Sequence, residues 1–105
     1  MNFKKFAEDL ELDVEEYLEL VELFLETGKS DIQNLQAAIA DNDAEKIAYA
    51  AHSIKGAAIN LGFVELSEKA KNIEQKARNG DLGEIVEIAQ MLDKGFYQIT
   101  ELAGK

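Results

Sequence analysis

His52 is the only histidine of the chain, and Gly56 follows it four residues later in AHSIKGAAINLGF, residues 51–63. That stretch otherwise reads as good helix. A mid-helix glycine costs about 1 kcal/mol relative to alanine, so its place one turn from the single imidazole needs a reason. Acyl transfer would want a nucleophile and an orienting carboxylate beside the ring, in a concave site. A zinc site would want several ligands, and the chain has no second histidine and no cysteine. What remains is nucleophilic catalysis in which another protein supplies the other groups. A free imidazole, with a pKa of about 6.5, is substantially neutral at pH 7 and can attack phosphorus. The product would carry a dianionic group. Lys55, three residues on, is placed to stabilise it, and Gly56 would let a partner approach the ring closely.

The elements that must position these residues are legible as apolar stripes. Four segments carry apolar residues at alternating spacings of three and four. The first is Val14, Leu18, Val21, Leu25, Gly28, Ile32, Leu35, Ile39. The second is Ile47, Ala51, Ile54, Ala58, Leu61. The third is Phe63, Leu66, Ala70, Ile73, Ala77, and the fourth is Ile85, Ala89, Leu92, Phe96, Ile99, Ala103. Asp13 with Glu16 forms a capping box for the first helix, and Asp43 caps the second. The second ends at NLG, with Gly62 as its C-terminal glycine. RNGD ends the third, and Asp81 with Glu84 opens the fourth. TGKSDIQ could break the first helix at Gly28, but the heptad phase runs through without a skip, so one long helix is expected. The loops are short, which makes sequential helices antiparallel. NFKKFAEDL adds a short N-terminal helix, with Phe3, Phe6 and Leu10 across one end. The expectation is an all-α, antiparallel, up-down-up-down four-helix bundle, monomeric, with Leu18, Ile54, Ile73 and Leu92 buried, in a single domain spanning residues 1–105.

On the second helix, at about 100° per residue, His52 points roughly 140° from the core direction and Gly56 points nearly opposite the core. Ala48 and Ile59 fall on the side of His52, and Lys55 lies between that side and the core edge. Ala48, His52, Lys55, Gly56 and Ile59 thus form an outward, acid-free patch in a chain that is one-fifth Asp and Glu. An exposed imidazole inside such a patch reads as a docking surface with a reactive group at its centre, with Ala48 and Ile59 as partner contacts.

Composition narrows the partners. A formal net charge of -10 repels phosphate backbones and anionic lipid, which argues against nucleic acid and membrane surfaces. No stretch approaches the roughly 18 apolar residues of a membrane span, and the start lacks an apolar signal core. Without cysteine there is no disulfide framework or thiolate metal site. The resulting expectation is a cytoplasmic protein with no metal and no cofactor.

AHSIKGAAINLGF closely resembles the signature of histidine phosphotransfer (HPt) domains, His-x-x-Lys-Gly followed by a Leu-Gly turn. LELFLETGKSDIQNLQAAIADND resembles that family's first bundle helix and acidic turn, and LSEKAKNIEQKARNGD resembles the helix after the signature. The resemblance implies an intermediate of a multistep phosphorelay. It implies His52 as the phosphorylated residue, Lys55 as the phosphate-side cation and Gly56 as the access residue. The implied partners are receiver domains of response regulators and hybrid kinases. The same signature opens chemotaxis-type histidine kinases, whose N-terminal domain is of this kind. These 105 residues show no Gly-rich nucleotide motif, so the expectation is a carrier without ATP binding, standing alone or cleanly excised. The competing reading is a helical scaffold that docks a partner without covalent chemistry.

Overall fold

The computed structural model describes residues 2–104 and contains five helices: α1 (Phe3–Asp9), α2 (Val14–Ala40), α3 (Ala44–Asn60), α4 (Val64–Arg78) and α5 (Ile85–Leu102). Helices α2 to α5 form a closed ring in which each packs on its neighbours in sequence and α5 returns to α2, while α1 lies on α2. No strand occurs among the described residues. The 27 residues of α2 span about 40 Å at about 1.5 Å per residue, which sets the long axis of a body measuring 42 × 22 × 17 Å.

Local chemistry sets most helix ends. Asp13 caps α2 in a capping box, its Oδ1 accepting from Glu16 N at 2.8 Å. Asp43 caps α3 by accepting from Lys46 N at 3.2 Å. Gly62 takes φ +84° after α3, and Gly80 takes φ +72° after α4, the left-handed conformation that glycine adopts without penalty. The expected start of the last helix is corrected. Residues 81–84 are a non-helical connection with a turn at residues 83–84, α5 begins at Ile85, and Glu84 at its N-cap makes no side-chain capping bond. Asp81 instead accepts from Gly83 N at 3.4 Å, and Lys76 of α4 lies 3.7 Å from Asp81 and 3.5 Å from Glu84.

The stripes of the second and third segments are buried throughout: Ile47, Ala51, Ile54, Ala58 and Leu61, then Phe63, Leu66, Ala70, Ile73 and Ala77. Ile73 and Leu92 are fully enclosed. Leu18 is not; it is half-buried, and Tyr17 takes the interior position. The cause lies at the α1 end, where Phe3 and Phe6 pack against Tyr17 and Phe63. Tyr17 can enter that cluster because its hydroxyl donates to the Leu61 carbonyl at 2.7 Å. A buried phenol with a partner is tolerated where an unpartnered one is costly. Burial pushes the Tyr17 pKa up to about 12.

Helix α2 runs unbroken through Gly28. The ring of Phe96 lies against the Gly28 backbone, in the space a Cβ would fill. That ring also stacks on Phe24, with centroids 5.0 Å apart, so displacing it would disturb that contact. Gly56 is the opposite case, with nothing within 4 Å of an added Cβ. Gly28→Ala is therefore expected to destabilise by about 1–3 kcal/mol through overpacking. Gly56→Ala is expected to stabilise by up to about 1 kcal/mol through helix propensity. Thermal melts of the two variants check this: the melting temperatures should move in opposite directions.

Candidate functional site

Helices α3 and α4 form the most extensive contact of the bundle. Alanines make this approach possible: Ala48, Ala51 and Ala58 on α3, and Ala70 and Ala77 on α4, are all buried. The register is pinned by Ser67 on α4, whose buried hydroxyl donates to the Lys55 carbonyl at 3.1 Å. Two turns further along α4, the same edge carries Glu74 to the outward side of α3.

Glu74 is the centre of the site. Its side chain is only 8% exposed, yet its carboxylate receives donors from three residues. His52 Nδ1 lies 3.0 Å from Oε2. Arg78, one turn on along α4, donates to the same oxygen from Nε at 3.2 Å and Nη2 at 2.9 Å. Lys55 Nζ donates to Oε1 at 2.7 Å. Burial opposes the carboxylate charge, but the hydrogen bonds from Lys55, Arg78 and His52 outweigh it and draw the Glu74 pKa down to about 2.

The tautomer of His52 follows. A carboxylate that stays ionised can only accept, so His52 Nδ1 must carry a proton. In the neutral ring this leaves the lone pair on Nε2. The His52 side chain is 63% exposed, and Glu74 engages its Nδ1 edge. The arrangement is an outward nucleophilic nitrogen on a ring held in place by a buried anion.

The structure brings together His52, Lys55 and Gly56 on the outer side of α3, and Ile59 one turn further on is half exposed. Ala48 is corrected: it is 4% exposed and belongs to the core. It faces the α4 seam, where close helix packing covers a small side chain that a single stripe leaves outside. The acid-free reading holds for α3 alone, since α4 delivers an acid to the imidazole. The orienting carboxylate that acyl transfer would want is therefore present. A side-chain nucleophile is not added to it, because the neighbouring Ser53 hydroxyl turns the other way and donates to Asp31 on α2 at 3.1 Å. Glu74, Arg78 and Ser67 were not singled out from sequence. The available signal was the pair of polar residues Ser67 and Glu74, seven apart along the edge of the α4 stripe.

A family model described as Hpt domain matches residues 19–103. Among solved structures, the chain is similar to histidine-containing phosphotransfer protein B (HptB) from Pseudomonas aeruginosa PAO1. The identity is 27% and the TM-score 0.84, covering 97% of this chain and 86% of that one. No curated protein matches the chain. No helix among the described residues is long and apolar enough to cross a membrane.

The Glu74 network gives a pH prediction. Its folded pKa lies below its ordinary value of 4.5, so its contribution is present above about pH 4.5 and is lost as the pH falls toward about 2. The size is on the order of 3 kcal/mol. Urea unfolding of the native protein and of Glu74→Gln should show the largest stability difference at neutral pH, shrinking across that window.

Proposed function

Because the chain belongs to the Hpt domain family, we propose that His52 accepts a phosphoryl group from a receiver-domain aspartate, or from a kinase, and passes it to another receiver. The family makes the chain a histidine phosphotransfer module of a two-component phosphorelay. The observation that carries the residue assignment is the exposed ring of His52, fixed through Nδ1 by a buried, ionised Glu74.

The reaction follows from that geometry. The Nε2 lone pair attacks phosphorus of the acyl phosphate. The phosphorus–oxygen bond breaks, and its electron pair stays on the donor carboxylate. Nδ1 keeps its proton, so the phosphorylated ring is cationic, and the Glu74 carboxylate beside it stabilises that charge. In the return step an aspartate of the next receiver attacks phosphorus, the nitrogen–phosphorus bond breaks, and its pair returns to Nε2. No proton needs to leave the site in either direction, which suits a carrier that must run both ways. Lys55 supplies the cation nearest the reacting ring along α3. The chemistry needs no cofactor of its own, and residues 1–105 read as one such carrier domain rather than an autonomous enzyme.

Gly56 and Ile59 supply the access and contact surface beside His52. The edge of α2 facing α3 extends it. Between the Tyr17–Leu61 and Asp31–Ser53 hydrogen bonds, that edge carries Leu20 and Leu23, both exposed. Apolar side chains flanking a low glycine crest fit an apolar helix of a partner domain.

His52→Gln is expected to abolish phosphoryl acceptance and to leave the helical circular dichroism unchanged, since the side chain is exposed. Lys55→Ala should slow transfer and shorten the phosphohistidine lifetime. Gly56→Gln should fold normally but hinder transfer from a phosphorylated receiver far more than phosphorylation by phosphoramidate. Radiolabel transfer assays on the three variants check each expectation. Normal acceptance by His52→Gln would remove the assignment.

A further inference from the structure

Lys55 faces two demands at once. It is the cation on the helix of the reacting histidine, yet its ammonium is already bound to Glu74 Oε1 at 2.7 Å. If it turned toward a phosphoryl group on Nε2, a buried carboxylate would lose a donor, and an under-satisfied buried anion is strongly disfavoured. Arg78 meets this difficulty. It places both Nε and Nη2 on Oε2, the oxygen that also receives His52 Nδ1. It stands four residues from Glu74 on the same helix, so its grip on the carboxylate does not depend on α3. Its side chain is 61% exposed, against 30% for Lys55.

We propose that Arg78 is a positioning residue that keeps the Glu74 carboxylate charged and oriented while Lys55 moves from Oε1 to the phosphoryl group on His52. The inference rests on the reading of His52 as the phosphorylated residue. The charges agree with it. Before transfer the ionised Glu74, Lys55 and Arg78 sum to one positive charge around a neutral ring. After transfer the cationic ring and the dianionic phosphoryl group bring the cluster to zero. Arg78 makes no bond to phosphorus and takes no proton. It leaves Lys55 free to move, while Glu74 goes on holding the Nδ1 proton.

A double-mutant cycle separates this role from direct contact with phosphate. Receiver-to-His52 transfer and phosphohistidine lifetime are measured for the native protein, Arg78→Gln, Glu74→Gln and the double variant, with His52→Gln as control. Arg78→Gln alone should slow transfer about tenfold and shorten the lifetime. In the Glu74→Gln background the same change should alter either quantity less than twofold. Arg78→Lys, which restores one donor to Oε2, should recover part of the loss. Equal effects of Arg78→Gln in both backgrounds would overturn the proposal by showing that Arg78 acts on the phosphoryl group or the partner directly. No effect in either background would overturn it as well. Label on the His52→Gln control, or none on the native protein, would instead remove the reading of His52 on which the inference rests.

Discussion

A carboxylate withdrawn from water must be matched by donors, and in this bundle the matching of Glu74 organises the reactive surface. His52, Lys55 and Arg78 converge on it from two helices. Each bond serves a different end. The bond from His52 fixes which ring nitrogen is free, the bond from Lys55 keeps an ammonium beside the ring, and the bonds from Arg78 hold the carboxylate from its own helix. Remove the carboxylate and the imidazole becomes an ordinary surface side chain, free to rotate and to change tautomer.

The rest of the fold can be understood as what brings Glu74 to that position. Small residues on both sides of the α3–α4 seam let the helices approach closely enough for side chains to meet across it. The Ser67 bond to the Lys55 carbonyl sets the register. At one end of the bundle the aromatic cluster around Tyr17 and Phe63 closes the core. On α2, Gly28 lets Phe96 pack against the backbone, which draws α5 in and completes the ring. The two mid-helix glycines thus have opposite surroundings. Gly28 accommodates a neighbour from inside the bundle, while Gly56 faces open space, which the proposed function assigns to a partner.

The parts of this account legible in the sequence are those confined to one helix. His52, Lys55 and Gly56 share α3, so their mutual placement follows from helical periodicity alone. The bundle itself was legible from four stripes, two capping aspartates and Gly62. Glu74 was not, because its meeting with His52 depends on the register between two helices, which periodicity within either does not specify. Ala48 failed for a related reason. A stripe gives a direction for the core but not its width, and the close α3–α4 contact buries more of α3 than its stripe suggests. Tyr17 displaced Leu18 because a carbonyl 44 residues away accepts its hydroxyl, a pairing that exists only in the folded chain. At Asp81 the capping pattern was right as chemistry but wrong in place, since the turn ahead of α5 uses that carboxylate for itself.

The central claim is that an ionised, buried Glu74 fixes the tautomer of His52 and leaves Nε2 as the nucleophile. Long-range proton–nitrogen correlation spectra of the uniformly labelled protein read this directly, at a pH where the ring is neutral. The account predicts a protonated, pyrrole-type shift at Nδ1 and an unprotonated, pyridine-type shift at Nε2, with the pattern lost in Glu74→Gln. A His52 ring protonated mainly at Nε2, the tautomer that an isolated histidine prefers, would contradict it.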